Sequence, residues 1–205
     1  MNKWIFLLCC FLFSCSLFRT SLISKDDMFY NDFINELKKP KESNNINKLG
    51  FFHSTYYQRD SFVNISSPFS HPKIFLPNGL IYNFRNFANV DSSYYIDLIK
   101  SRNLDGEFWG VYKVDGNTIK AIVPTNYYKR GYVGKYCLSY FEGILIGTDS
   151  ISNWRMVPPF PTNIDYELNK DVIRSHQQPK SYSFYPNEIV LKIDTVGAWF
   201  NKFIK

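Results

Sequence analysis

The sequence contains few cysteines, alanines and histidines, and each shortage narrows the structures it supports. Four cysteines are present, but Cys9, Cys10 and Cys15 lie at the start, which leaves Cys137 alone in the rest of the chain. A single cysteine excludes an internal disulfide, so packing must stabilise the fold, and Cys137 is predicted to be a buried, inert thiol in a strand. Alanine, the strongest helix former, occurs only three times, which disfavours a mainly helical protein.

Recognised catalytic and metal-binding motifs are missing as well. The chain has no nucleophile elbow, no His-Glu-x-x-His, no Cys-x-x-Cys and no glycine-rich phosphate loop. The three histidines, His53, His71 and His176, are far apart and form no pair of ligands one helical turn apart. We therefore expect them to be exposed loop residues, and we predict no metal site, no cofactor and no catalytic residue.

Long apolar runs are limited to one, at the N-terminus. Residues 4–13 are continuously apolar and follow the basic Lys3. The run is too short to span a bilayer, which takes about 20 apolar residues. A basic residue followed by a short apolar segment is typical of a secretory signal peptide.

The end of this segment, Leu12-Phe13-Ser14-Cys15, resembles the lipobox of bacterial lipoproteins. It has a leucine three residues before the cysteine and a small residue directly before it. The resemblance implies that residues 1–14 are removed and that Cys15 is acylated, so that membrane lipid is the expected partner. An ordinary cleaved signal peptide is the alternative.

The net charge of the chain and the residue that follows Cys15 indicate where the protein is located and which partners it has. The resemblance implies a lipid-anchored protein of the bacterial cell envelope, and Ser16, in place of an aspartate, favours the outer membrane. The net charge is +6, but the bases are spread along the chain, with the densest groups at 38–41 and 129–130. This distribution and the exported location predict no nucleic-acid partner.

An amphipathic helix is predicted over residues 25–39. Phe29, Phe33 and Leu37 recur every four residues, and Pro40 ends the pattern. We expect the apolar face to pack on the following domain. A helix lying on the membrane is the alternative, which the acidic residues of the segment disfavour.

Tight turns and aromatic segments dominate the remainder of the chain. Hairpins are predicted over 74–84, where Pro-Asn-Gly forms the turn, and over 106–123, where Asp-Gly forms it. Gly143 inside a strand predicts a bulge, a bend or a close backbone approach. Further strands are predicted at 51–58, 135–146, 148–151 and 183–191, loops at 65–72, 124–134 and 156–161, short helices at 92–102 and 163–178, and a last helix around 196–203.

These segments predict a mainly β protein, an antiparallel meander or small barrel with an N-terminal and a C-terminal helix, because the turns are too short for parallel crossovers. The predicted organisation is a signal peptide (1–14), an anchor, tether and amphipathic helix (15–48), and a β-rich domain with a C-terminal helix (49–205). The layout resembles small lipoproteins of the Bacteroidetes type. It is also loosely similar to lipocalin-like domains, through the Gly and Trp of residues 106–112.

Four aromatic residues are the candidate ligand-binding set, since tyrosine and tryptophan combine an apolar face with a polar tip. They are Trp109, Tyr112, Tyr136 and Tyr140. Core packing is the alternative role for them. We expect a non-enzymatic binding or structural module for a small amphiphile, a glycan or a protein partner. The alternative is an envelope hydrolase that uses paired carboxylates such as Glu107 and Glu142.

Overall fold

The computed structural model describes most of the β-rich domain and the helix that precedes it. The described residues are 23, 25–39, 46, 50–53, 55–59, 66–70, 72–76, 78–83, 87–88, 108–129 and 132–186. The predicted signal peptide, Cys15, the predicted helix at 92–102 and the predicted C-terminal helix lie outside these residues. Within them, no helix is both long and apolar enough to cross a membrane.

The described residues form two helices and eleven strands. In chain order these are α1 (Tyr30–Lys38), β1 (Gly50–His53), β2 (Thr55–Arg59), β3 (Ser66–Ser70), β4 (Lys73–Phe75), β5 (Leu80–Asn83), β6 (Phe87–Ala88), β7 (Trp109–Asp115), β8 (Thr118–Lys129), β9 (Tyr132–Ile146), β10 (Ser150–Met156), α2 (Tyr166–Gln177) and β11 (Lys180–Pro186).

The main sheet is an antiparallel meander that is curled into a half-barrel, which confirms the predicted fold class. Its hydrogen-bonded order is β1–β11–β10–β9–β8–β7–β5–β4, and strand β1 also pairs with β4 through Phe52 and Lys73. The first and last strands of this order, β1 and β4, are therefore joined, but only through this one pair of residues. Strands β2, β3 and β6 form a separate three-stranded sheet.

Both predicted hairpins are confirmed. Ile74 of β4 lies opposite Tyr82 of β5, and Asp115 of β7 lies opposite Thr118 of β8. The turns between them contain glycines with φ of 78° and 59°, a conformation that other residues rarely adopt.

Two predicted loops are strands, so those predictions were wrong. Residues 65–72 contain β3, which pairs with β2 and β6 although it includes Pro68. Residues 124–134 contain the end of β8 and the start of β9.

Pro124 is accommodated in β8 because its partner Leu138 directs its N–H away from β8, to the side chain of Asp27. Opposed residues in an antiparallel pair either exchange both hydrogen bonds or neither, so the missing proline N–H costs no sheet bond here.

Helix α1 is shorter than the predicted helix at 25–39. The Asp27 side chain accepts a hydrogen bond from the N–H of Phe29 at 3.0 Å, and the Asp27 carbonyl accepts one from Tyr30 at 3.0 Å. This local bonding holds residues 25–29 in turns, because an aspartate side chain competes with the helical backbone pattern.

Two hydrophobic cores lie on opposite faces of the sheet. We call the cluster between α1 and strands β4, β5, β7, β8 and β9 the outer core. We call the cluster to which all eight strands of the main sheet contribute the inner core, and Ile173 of α2 also packs there. Buried members of the outer core include Phe29, Phe33, Tyr82, Trp109, Val111, Ile122, Tyr136 and Leu138. Buried members of the inner core include Phe52, Phe75, Tyr112, Tyr127, Cys137, Phe141, Trp154 and Tyr182.

Helix α2 confirms the short helix predicted within 163–178. Asp165 caps it by accepting a hydrogen bond from the N–H of Leu168 at 3.1 Å. The buried Asn169 side chain bonds both the N–H and the carbonyl of Tyr128, at 2.6 and 2.9 Å, and so joins α2 to the end of β8. His176 lies on this helix and is half-buried, so the prediction of an exposed loop position was wrong for it.

Candidate functional site

An open cleft of about 600 Å³ lies between helix α1 and the outer face of strands β7, β8 and β9. One part of its wall is the segment Val157-Pro158-Pro159, which follows β10. Tyr112, Ala121 and Phe141 also line the cleft, although their side chains belong to the inner core on the other face of the sheet. These three residues therefore border the cleft with their backbone.

Strand register explains the floor and the rim of the cleft. Val111, Ile122 and Tyr140 stand opposite one another across β7, β8 and β9. Two residues further along, and therefore on the same face, the opposed residues are Lys113, Lys120 and Glu142. The first row forms an apolar floor, whereas the second places charges at the edge of that floor.

Glu36 of α1 neutralises part of the positive charge. Its Oε1 lies 2.6 Å from the Nζ of Lys39 and 3.5 Å from the Nζ of Lys113. Burial opposes the ionisation of Glu36, but the hydrogen bonds and charges of the two lysines outweigh it and lower the pKa of Glu36. The carboxylate is therefore ionised and links the helix to β7.

Tyr140 connects the cleft floor to the same helix. Its hydroxyl donates a hydrogen bond of 2.6 Å to Oδ2 of Asp32, and its ring meets the ring of Phe29 edge-on at 4.8 Å. Burial and the carboxylate of Asp32 raise the pKa of Tyr140, so the hydroxyl remains a donor. The side chain is thereby fixed against α1.

The remaining charges of the row are Lys120 and Glu142, and both are half-buried. Among the described residues, neither side chain has a hydrogen bond or an ion pair, although the two residues are opposed on neighbouring strands. Among the described residues, Lys120 and Glu142 are therefore the charged side chains of the cleft that form no hydrogen bond or ion pair.

The four predicted ligand-binding aromatics are not gathered at one place. Trp109 and Tyr136 are buried in the outer core, where Trp109 lies 4.9 Å from the ring of Tyr82. Tyr112 is buried in the inner core and its hydroxyl donates to the Leu76 carbonyl at 2.9 Å. Tyr140 is the member whose half-buried side chain lies along the cleft between floor and helix.

The carboxylates named for a hydrolase are only partly described. Glu142 lies on the cleft, whereas Glu107 falls outside the described residues. The sequence pattern does not reveal the acids of α1, Asp32 and Glu36, as cleft residues. Their spacing of four residues does place them on one helical face, which was the available signal.

A second group of titratable side chains lies at the inner core. Lys73 is buried, donates to Oδ1 of Asn83 at 2.7 Å, and has its Nζ 5.2 Å from the ring centres of both Trp154 and Tyr182. Burial and the charge of Lys180 lower the pKa of Lys73 to about 7. This amine thus forms part of the packing, beneath two aromatic faces.

His176 of α2 belongs to the same group. Burial and the positive charges of Lys180 and Lys73 lower the pKa of His176 to about 3. Its ring lies edge-on to Phe141 at 5.7 Å. The imidazole is therefore neutral at physiological pH.

Cys137 is buried, as predicted, and its Sγ lies 3.4 Å from Oδ1 of Asn163. Within the described part of the chain, no group of three or more His, Cys, Asp or Glu side chains is placed to hold a metal ion. Comparisons with protein-family models, with curated proteins and with solved structures found nothing that matches the chain. The candidate function therefore depends on the chemistry of the cleft.

Proposed function

We propose that the protein is a lipid-anchored, non-enzymatic binding module of the bacterial cell envelope and that the cleft beside α1 holds a small amphiphile. The observation that carries the proposal is the combination of an apolar wall, the exposed Met28, Pro158 and Pro159 together with the buried Val111 and Ile122, and a charged edge in a cleft of about 600 Å³. Ligand sites are typically of about 300–1,000 Å³ and combine apolar walls with a few polar groups.

The position of the cleft in the chain supports the anchored form of this proposal. Thirteen Cα-to-Cα steps (28 − 15) separate Cys15 from Met28, which lines the cleft. A fully extended chain of that length reaches no further than about 45 Å. A membrane-anchored Cys15 therefore keeps the cleft close to a source of amphiphiles.

The alternative of a hydrolase that uses Glu107 and Glu142 gains no support from the other two acids of the cleft, Asp32 and Glu36. A general acid of a carboxylate pair needs a raised pKa. Glu36 instead has a lowered pKa and bonds Lys39, while Asp32 accepts the hydroxyl of Tyr140. These acids hold α1 in place.

Native mass spectrometry of the full chain, purified from host membranes in a nonionic detergent, tests the proposed ligand. Asn35→Trp places a large ring on an exposed residue that lines the cleft, and Asn31→Trp makes the same change on an exposed residue of α1 that does not line it. We expect the wild type and Asn31→Trp to retain a noncovalent adduct that Asn35→Trp loses. A wild-type chain without any adduct, or an adduct retained equally by both variants, would contradict the proposal.

The anchor has a separate test. Intact mass and N-terminal peptide mapping should find acyl chains on Cys15 and no trace of residues 1–14, and Cys15→Ser should leave the membrane fraction. A wild-type chain recovered from the soluble fraction with a free Cys15 thiol would show that it is not anchored in this way.

A further inference from the structure

The charged row at the edge of the cleft has an uneven pattern. Across β7, β8, β9 and β10 it reads Lys113, Lys120, Glu142, Arg155, so two lysines are neighbours and Glu142 stands between two cations. Directly opposed like charges destabilise a strand pair. Glu36, with its Oε1 3.5 Å from the Nζ of Lys113, offsets the charge of Lys113. The role of the charges on Lys120 and Glu142 remains to be explained.

Lys120 and Glu142 are placed to act on a ligand together. Both line the cleft, both are half-buried, and neither has a hydrogen bond or ion pair within the described part of the chain. Side chains opposed on neighbouring strands are rooted about 4.5–5.5 Å apart. A cation and an anion of the protein are thus presented side by side, next to the apolar row of Val111 and Ile122.

We infer that the cleft selects a zwitterionic amphiphile, whose anionic group contacts Lys120, whose ammonium contacts Glu142, and whose apolar part lies along Met28, Pro158 and Pro159. This inference rests on the proposed binding function and specifies its ligand class. A small headgroup in which an ammonium and a phosphate are joined by a two-carbon link fits two charges presented on adjacent strands.

Charge balance in the cleft favours this ligand over a singly charged one. The lining side chains comprise three lysines and three acids, so the cleft has no net charge to attract a simple anion or cation: Lys39, Lys113, Lys120, Asp32, Glu36 and Glu142. An anionic amphiphile at Lys120 would lie against the carboxylate of Glu142, and a cationic one at Glu142 would lie against Lys120. Such like-charge contacts discriminate against the wrong ligand.

The test uses the full chain in nonionic detergent and three probes, with bound fractions measured by native mass spectrometry. The probes are dihexanoyl-phosphatidylethanolamine, its anionic phosphatidylglycerol counterpart, and glycerophosphoethanolamine, which has the same zwitterionic headgroup without acyl chains. We expect the zwitterionic lipid to bind about tenfold more strongly than the anionic lipid, which corresponds to about 1.4 kcal/mol. If glycerophosphoethanolamine binds as strongly as the lipid, the charge assignment stands, but the acyl chains do not contribute, which would contradict an amphiphile as the ligand.

Variants assign the effect to the two residues. Lys120→Met and Glu142→Gln should each weaken binding of the zwitterionic lipid about tenfold and reduce the preference over the anionic lipid. The matched controls are Lys170→Met and Glu167→Gln, an exposed pair on α2 with a separation of 3.8 Å, and they should bind as the wild type does. The double exchange Lys120→Glu with Glu142→Lys should recover binding that Lys120→Glu alone loses.

The outcomes separate this inference from the function beneath it. Equal binding of the zwitterionic and anionic lipids, or variants at Lys120 and Glu142 that bind as the controls do, would overturn the inference and leave the binding function standing. If no probe binds and the wild type also lacks a native adduct, both fail.

Discussion

The carboxylate of Asp27 bonds the backbone N–H of Leu138 at 3.1 Å across 111 residues of chain. Its other oxygen accepts the N–H of Phe29 at 3.0 Å, so one buried side chain fixes the start of α1 to the middle of β9. Strand β10 pairs with β9 only as far as Phe141, so Asp27 takes the place of a strand partner at Leu138.

Removing this carboxylate should destabilise the protein. Asp27→Ala leaves the buried N–H of Leu138 without its acceptor, which costs about 1–3 kcal/mol of the free energy of unfolding. Asp27→Asn retains one acceptor oxygen and should cost less. Urea unfolding measures both, with the exposed Asp171→Ala on α2 as the control. Equal stability of Asp27→Ala and the control would show that the bond is dispensable.

Gly143, where the sequence predicts a bulge, a bend or a close backbone approach, lies against the side chains of Ile151 and Trp154, so an added methyl group should be poorly tolerated. A Cβ at this position would lie 2.9 Å from Cγ2 of Ile151 and 2.9 Å from Cε3 of Trp154. We expect Gly143→Ala to lower the free energy of unfolding by about 1–3 kcal/mol. In the double variant with Ile151→Ala the cost should be smaller than the sum of the single costs. Strict additivity in urea unfolding would argue against the contact.

Lys73 should make stability rise with pH above neutrality. Burial and Lys180 lower its pKa from 10.5 to about 7, so between these values the unfolded chain holds a proton that the folded chain lacks. The free energy of unfolding then increases by up to about 1.4 kcal/mol per pH unit. Lys73→Met should flatten this increase, measured by urea unfolding at about pH 7.5 and about pH 9. Lys170→Met is the control, and parallel curves for wild type and Lys73→Met would refute the assignment.

His176 should contribute to acid sensitivity. Because its pKa falls from 6.5 to about 3 on folding, the unfolded chain binds the extra proton in this window and stability is lost as the pH falls through it. The loss amounts to up to about 1.4 kcal/mol per pH unit. His176→Gln should reduce the difference in thermal stability between about pH 6.5 and about pH 4.5. An unchanged difference would mean that the folded imidazole titrates normally.

Local signals account for the part of the fold that the sequence predicted. The Pro-Asn-Gly and Asp-Gly turns predicted both hairpins because a turn is determined by adjacent residues. The strand through Pro124 was missed because its tolerance depends on Leu138 and Asp27, which are distant in the chain. Likewise β3 contains Pro68, and its partners β2 and β6 decide that it is a strand.

The candidate site was predicted less well for a similar reason. Alternation assigns Lys113 and Tyr140 to a face of the sheet, but it does not say what covers that face. The partners that define the cleft, Glu36 for Lys113 and Asp32 for Tyr140, are 77 and 108 residues away in the chain. Trp109 and Tyr136 were attractive as ligand residues by composition, but both are buried in the outer core, where their rings contact Tyr82 and Phe108.

The two cores depend on helix α1 to different degrees. Helix α1 contributes to the outer core, whereas the inner core is built by the strands and α2. The helix can therefore detach in a partial opening that leaves the inner packing intact. Amide hydrogen exchange should show this as lower protection in Tyr30–Lys38 than in the centre of β8 and β9. If the cleft holds a ligand as proposed, the time for which the ligand stays bound depends on how often that helix detaches.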